Sequence, residues 1–376
     1  MSDHHHPHRR DQATEIAELL GKNLERILGR TLLGEPTQEQ RRRLNSSRIL
    51  VTGAGGSIGR ALSEWLHQVR PQNLALLDNH EDSLFKLKQH LGLSGSTENA
   101  QFIMADVRDR HRMELVLGQV RPDVIFHLAA YKHVPLAEEW PEEFVQVNVV
   151  ATWQLAQIAA NAGVRKLVYA STDKAVNPPS VYGATKRVAE LLLQGLALGA
   201  SATQFTVVRL VNVIGARGGV VETFARDILA SRPVRITDPR MTRYWITFPE
   251  ALFLLISAAC RDSTGDVLLP NAGEAVSVPD IARRILSVLR GFEAELDVEW
   301  TGIRPGERLN EELVYPHERL RTSSLPGILE VVRDQETAGS SLGELAEEVT
   351  TLRRLAEEGR GDELREQLFR IVRTHR

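Results

Sequence analysis

The run ILVTGAGGSIGRAL at residues 49–62 constrains this chain more than any other segment. Three apolar residues lead into Gly53, Gly56 and Gly59, and an amphipathic pattern follows from Ser57. That order predicts a strand, a tight glycine turn and a helix. Such a turn lets phosphates approach bare backbone, where side chains would clash. A helix starting at Ser57 and Ile58 would aim its free N–H groups and positive dipole end at a pyrophosphate. The expectation is a cradle for a nicotinamide dinucleotide.

The next apolar run ends in LLDN, with Asp78 nineteen residues after Gly59. A carboxylate there suits the adenosine ribose hydroxyls and disfavours a 2′-phosphate, and no Arg directly follows. The cofactor expectation is therefore NAD or NADP, leaning to NAD. Asp106 and Val107 follow the third run, where Asp106 is either an adenine contact or a cap for the next helix.

The rhythm continues beyond the cradle. Apolar runs at Ile49–Val51, Leu74–Leu77, Phe102–Met104, Val124–Leu128, Lys166–Tyr169 and Thr206–Leu210 alternate with helical patterns. Those patterns cover Ser57–Gln68, Asp82–Leu91, Arg110–Gln119, Val147–Ala162 and Tyr182–Leu198. Alternation of this kind means βαβ units with right-handed crossovers. The predicted fold class is α/β, a Rossmann doubly wound parallel sheet with a smaller substrate-binding region and helical N- and C-terminal extensions. The expected divisions are a tail and amphipathic helix over 1–44, the dinucleotide domain over 45–210, a mainly substrate-binding region over 211–335 that partly returns to the sheet, and C-terminal helices over 336–376.

In the first division, Ile16, Leu20, Leu24, Ile27 and Leu28 predict a helix from Ala13 to about Gly29, either an oligomer contact or, as favoured here, packed on the main domain. In the last, Ser341 and Glu344 form a capping box, and two apolar stripes follow.

Bulk properties narrow the function. A net charge of −3 gives no basic field for nucleic acid. The apolar run Ala251–Cys260 is too short to span a bilayer. The N-terminal MSDHHHPHRR has no apolar stretch of a secretory signal and reads as a disordered tail. The lone Cys260 has no partner in the chain and reads as a core residue in a reducing compartment. A cytoplasmic protein without metal, membrane or nucleic acid is expected.

Tyr182 and Lys186 form a Y-x-x-x-K pair, which shares one face of a helix. A nearby ammonium favours the phenolate, so Tyr182 is a candidate to exchange a proton with a hydroxyl while hydride moves to the nicotinamide.

The segments FHLAAYKHVPLAEEWPEEFVQVNVVAT and YASTDKAVNPPSVYGATKRVAELLL closely resemble the extended short-chain dehydrogenase/reductases. Within them the chain resembles the nucleotide-sugar 4,6-dehydratases of polysaccharide biosynthesis, typified by the UDP-N-acetylglucosamine 4,6-dehydratases. The resemblance extends through VVRLVNVIGARGGVVETF, DPRMTRYWITFPEA and GIRPGERLNEELV, and covers about residues 15–376. It implies that Thr172, Asp173 and Lys174 face the sugar beside Tyr182. Oxidation at carbon 4 would acidify the proton on carbon 5, Lys174 would remove it as base, and Asp173 would protonate the departing hydroxyl of carbon 6. The stored hydride would return to carbon 6, so the cofactor stays bound and is recycled. Lys is ordinarily protonated and Asp ionised, the reverse of these roles; burial is expected to push each toward its neutral form.

The resemblance also implies cofactor contacts at Ala129 and Ala130, a phosphate contact at Lys132, and UDP-sugar contacts at Asn212, Arg243, Arg304 and Glu307. It implies a homo-oligomer. The chain departs from the pattern in three ways. Many members carry an N-terminal membrane domain, expected to be absent here. Many place Met where Tyr182 stands. Where they read S-G-S-V-I-P, this chain reads Arg217-Gly218-Gly219-Val220-Val221-Glu222. The rival readings are a UDP-sugar 4-epimerase, which has no need of Asp173-Lys174 to expel water, and a non-catalytic NAD-binding scaffold, which has no need of Asp173, Lys174, Tyr182 and Lys186 together.

Overall fold

The computed structural model describes residues 19–95, 98–199, 201–215, 219–292, 294–333 and 342–375. Residues 1–18, Ser341 of the expected capping box, and Arg217 and Gly218 lie outside them.

The central sheet is built from β1 (Arg48–Thr52), β2 (Asn73–Asp78), β3 (Ala100–Met104), β4 (Val124–His127), β5 (Lys166–Thr172), β6 (Gln204–Leu210), β7 (Asp266–Pro270), β8 (Glu318–Thr322) and β9 (Ile328–Arg333). Its nine strands run in the order β8-β9-β7-β6-β5-β4-β1-β2-β3. The strands from β1 to β7 are mutually parallel, while β9 pairs antiparallel with both β7 and β8. Three sheet strands thus come from the 211–335 stretch. The order reverses at β1, which pairs with β2 on one side and β4 on the other. In a doubly wound sheet that reversal opens a crevice beyond the carboxyl ends of the strands, the usual place for a ligand.

Helices cover both faces: α1 (Ser57–Val69), α2 (Glu81–Ser94), α3 (Arg110–Val120), α4 (Ala151–Asn161), α5 (Val181–Leu198), α6 (Val220–Leu229), α7 (Phe248–Ala259) and α8 (Val278–Arg290). Burial on two sides explains the nearly unbroken apolar strands. In β1, Ile49 and Val51 meet Leu62 and Leu66 of α1 and the apolar α7, while Leu50 faces Met113 of α3 and Leu155 of α4. The run containing Cys260 is thereby a core helix, and no described helix is long and apolar enough to cross a membrane.

Helices α9 (Leu342–Glu357) and α10 (Gly361–Thr374) pack Leu345, Val349, Leu352, Leu364, Leu368 and Ile371 onto Val188 and Leu192 of α5. The described part of the N-terminal helix ends at Gly29 in a left-handed cap, φ 74°. Its Leu20, Ile27 and Leu28 pack with Ile281 and Ile285 of α8. The helix thus packs within the chain, on the 211–335 region rather than on the dinucleotide domain.

One expected element is built differently. Val147–Ala162 is not a single α-helix: a π-turn over Gln146–Val150 precedes α4, after short helices at Val134–Glu139 and Pro141–Val145. The widened turn carries Asn148. Its Oδ1 accepts from Tyr131 N at 2.9 Å, and its Nδ2 donates to Tyr131 O at 3.0 Å and Thr185 Oγ1 at 3.1 Å. Side-chain bonds to a neighbouring loop and to α5 accompany this departure from α geometry, which periodicity cannot register.

Candidate active site

The cradle forms where β1 ends. Gly53 has φ 69°, in the left-handed region, and a Cβ there would stand 2.7 Å from Ala129 N. Only glycine meets both demands. No side chain caps α1 at Gly56, so the helix entrance is lined by backbone. Thr52 Oγ1 bonds His127 Nδ1 at 2.7 Å, and His127 Nε2 bonds Thr152 Oγ1 at 3.0 Å, joining the ends of β1, β4 and α4. Burial drives His127 down to about 3, so it is neutral in this role.

A cavity of about 240 Å³ lies over the strand ends, lined by Gly53, Gly56, Asp78, Asp106, Val107, Ala129 and Ala130. Asp78 Oδ2 accepts from Gly55 N at 2.8 Å and its Oδ1 from His80 N at 2.9 Å. The carboxylate thus braces the glycine turn as well as facing the cavity. Asp106 does not cap the following helix; Asp109 does, accepting from Arg112 N at 2.9 Å. Asp106 instead binds Arg108, with 2.7 Å between Nη2 and Oδ2.

A larger cavity of about 850 Å³ continues from it past Gly56, Ser57, Ile58 and Gly59 to Lys132, Thr172, Lys174, Tyr182, Lys186 and Asn212. Thr172 is the last residue of β5, and Asp173–Ala175 form a 3₁₀ turn directly after it. Ser180, behind two prolines, caps α5 by accepting from Gly183 N at 3.2 Å. A Cβ on Gly183 would lie 2.1 Å from Lys174 O, so this glycine lets α5 press against the turn. That close approach puts Tyr182 beside Thr172, Asp173 and Lys174.

The electrostatics differ from the expectation at two residues. Burial pushes the Tyr182 phenol up, and the ammonium that opposes this is Lys174, not Lys186. Lys186 sits over the Tyr169 ring, 4.0 Å from its centroid, and burial lowers it to about 7. Lys174 was expected to be driven toward neutrality. Burial does act that way, but Asp173 and Glu311 outweigh it and hold the ammonium above its ordinary value. Lys174 Nζ lies 3.0 Å from Asp173 Oδ1 and 3.3 Å from Glu311 Oε1. Asp173 is fully buried, and its Oδ2 has no hydrogen-bond partner.

A third cavity, about 360 Å³, shares Lys174, Asn212, Val220 and Trp245 with the second and is lined by Arg235, Arg243, Arg304, Glu307 and Glu311. Arg304 and Glu307 close a tight turn: Glu307 N donates to Arg304 O at 3.1 Å, and Arg304 N donates to Glu307 Oε2 at 3.2 Å. Arg243 is largely committed to the protein itself. It donates to the carbonyls of Thr242, Leu309 and Arg308 at 2.7, 3.0 and 2.9 Å. Asn212 Nδ2 donates to Tyr244 O at 3.2 Å.

Glu311, Asn148 and Glu190 were not singled out from the sequence. Ser171 Oγ donates to Glu190 Oε1 at 2.7 Å, and Arg209 grips the same carboxylate behind the site. A Glu eight positions after Tyr182, on the same helix face, was the one local signal for Glu190.

The model of the polysaccharide biosynthesis protein family matches residues 49–333. The chain belongs to this family. It is 38% identical to the capsular polysaccharide biosynthesis protein CapD of Staphylococcus aureus over 80% of this chain and 51% of CapD. The chain thus spans about half the length of that relative. It is 31% identical to the UDP-N-acetylglucosamine 4,6-dehydratase (inverting) of Campylobacter jejuni, over 81% of this chain and 90% of the enzyme. UDP-glucose 4-epimerases also match, at 28% identity. Among solved structures, Pen from Bacillus thuringiensis superposes with a TM-score of 0.70 at 28% identity, covering 78% of this chain and 89% of Pen. The Rossmann-type α/β fold and the resemblance read from the sequence both stand.

Proposed function

We propose that the chain is a nucleotide-sugar 4,6-dehydratase acting on UDP-N-acetylglucosamine and giving a 4-keto-6-deoxy sugar. The observation that carries this is the Asp173–Lys174 pair, 3.0 Å apart beside Tyr182, with Asp173 fully buried, Lys174 partly open to the cavity, and one Asp173 oxygen unpartnered. An epimerase needs Tyr182 and a nicotinamide but has no use for this acid–base pair.

The first cavities suit a dinucleotide. A helix entrance with no side-chain cap would face the pyrophosphate, and Asp78, which lines the first cavity, would face the adenosine ribose. We assign NAD, since the Asp78 carboxylate would repel a 2′-phosphate. Bound there, the nicotinamide supplies a hydride acceptor for carbon 4 and the hydride returned to carbon 6. Tyr182 takes the proton of the carbon-4 hydroxyl as the phenolate, the form that the Lys174 ammonium and the Thr172 hydroxyl favour against burial. Asp173 and Lys174 then carry the two protons of water loss, from carbon 5 and to the carbon-6 hydroxyl. We assign Arg304 and Glu307, which line the third cavity, to the diphosphate and ribose, Asn212 to the sugar, and Lys132 to a phosphate. Arg243 supports this wall from behind by fixing the 308–309 backbone. We further read the chain as a cytoplasmic homo-oligomer.

The test is mass spectrometry of the purified protein incubated with UDP-N-acetylglucosamine and no added cofactor. A product lighter by one water is expected. Unchanged mass with a new carbon-4 epimer by NMR would make the chain an epimerase, and unreacted substrate would refute the proposed substrate.

A further inference from the structure

The segment after Arg304 is stitched to the catalytic turn. Arg308 Nη1 donates to Val176 O at 3.3 Å, Asn177 Nδ2 to Glu312 Oε2 at 2.6 Å, and Tyr315 OH to Ala175 O at 2.9 Å. At the centre of this seam is Glu311, whose side chain is 6% exposed. Its Oε1 lies 3.3 Å from Lys174 Nζ and 3.5 Å from Arg243 Nε. The charged and titratable groups facing Lys174 are therefore Asp173 on its own turn, Glu311 and Arg243 on the substrate wall, and Tyr182 on α5. Two carboxylates, one from its own turn and one from the substrate wall, share one ammonium. Only Asp173 belongs to the pair to which the resemblance gives a role.

We propose that Glu311 is a positioning residue that keeps Lys174 protonated and shared by two carboxylates at rest, so that the acid–base pair for water loss is created by one proton transfer from Lys174 to Asp173. This rests on the dehydratase reading. In the transfer an N–H bond of Lys174 breaks and an O–H bond forms on Asp173, leaving a neutral amine and a neutral acid. The amine then takes the carbon-5 proton, and the C–H electron pair becomes the carbon 5–carbon 6 double bond. The carbon 6–oxygen bond breaks as Asp173 gives its proton to the leaving hydroxyl, and water departs. Asp173 is again a carboxylate and Lys174 again an ammonium, so the pair resets without exchanging a proton with solvent. Glu311 takes no proton and holds the ammonium in place between turnovers. Because the same oxygen meets Arg243, whose guanidinium fixes the Arg308 and Leu309 backbone, the nucleotide wall and the chemical centre share one charge.

The test is competitive acetylation of lysines in the whole protein without substrate, read at Lys174 by peptide mass spectrometry across pH. In the unaltered protein Lys174 should become reactive only at the alkaline extreme. In Glu311→Gln the labelling midpoint should fall by roughly one to three pH units. Glu311→Asp keeps the charge on a shorter arm and should fall in between; it is scored the same way if Glu311→Gln does not fold. An unmoved Lys174 midpoint would overturn the inference. In dehydration assays the alkaline limb of kcat should shift in the same direction, and a stationary limb alongside a shifted midpoint would also overturn it. Absence of water loss in the unaltered protein together with a shifted midpoint would instead sink the dehydratase reading, and leave the Glu311–Lys174 coupling standing.

Discussion

Replacing Arg209 with Met should destabilise the protein by about 3–5 kcal/mol at neutral pH, the usual cost of breaking a buried ion pair by removing one partner. Arg209 is completely buried between two equally buried carboxylates. It meets Glu190 through Nε and Nη2 at 3.0 and 2.9 Å, and Glu318 through Nη1 and Nη2 at 2.8 and 3.2 Å. Arg187, also buried, lies 3.2 Å from Glu190 and 3.9 Å from Glu318, and the partly exposed Arg333 reaches Glu318 from outside at 3.6 Å. Methionine restores most of the volume and none of the charge. The two carboxylates would lose the fully buried cation that bonds both of them, together with four charge-assisted hydrogen bonds to carboxylate oxygens and one to Leu313 O.

The pH dependence gives the sharper test. Burial works against the charged forms, but Arg209 and Arg187 outweigh it: Glu318 is held at about 2 and Glu190 below its ordinary value. Groups depressed on folding contribute stability above their unfolded pKa, near 4.5, and lose it as pH falls toward the folded value. In Arg209→Met the carboxyls lose the partner that depressed them, so acidification from pH 7 to 5 should relieve the variant while leaving the parent nearly unchanged. Thermal melts followed by circular dichroism should show a deficit of several degrees at pH 7 that narrows at pH 5. Equal melting temperatures at pH 7, or a deficit that widens on acidification, would refute the reasoning. Because Ser171 and Ala175 are tied to this network through Glu190 and Tyr315, and Arg187 stacks on the Tyr315 ring, activity should fall with stability.

Asp173→Asn, nearly isosteric, should lower water loss from UDP-N-acetylglucosamine by about 10²–10⁴-fold in kcat with a smaller drop in melting temperature than Arg209→Met, since Glu311 still pairs the partly exposed Lys174; activity within tenfold of the parent would remove Asp173 from its role. Gly183→Ala places a methyl group 2.1 Å from Lys174 O and should cost about 1–3 kcal/mol in chemical denaturation while also reducing turnover. Lys186, lowered to about 7 by burial, should acetylate with a midpoint near neutrality in the cofactor-free protein, well below an exposed lysine; a midpoint near 10 would mean that the ammonium is solvated.

The cradle was legible because it is a local device. Gly53, Gly56 and Gly59 act within one strand, one turn and one helix, and their spacing encodes all three. The parallel sheet followed from alternating short apolar runs and amphipathic patterns, and β1 to β6 lie where those runs predict. Tyr182 and Lys186 share a helix face by geometry alone. The environment of each ionisable group was not legible. The sequence placed an ammonium beside Tyr182, but only packing decided that it is Lys174 across the turn, while Lys186 lies over Tyr169. Burial was expected to make Lys174 a neutral amine, but Asp173 beside it and Glu311, which the fold brings to 3.3 Å, together hold the ammonium. Arg243 reads as a free diphosphate ligand until the 308–309 carbonyls close on it. Periodicity and spacing report only on residues a few positions apart. Charge interactions depend on distance in space: Lys174 meets Glu311 and Arg209 meets Glu318 across more than a hundred residues, so tertiary structure decided their states.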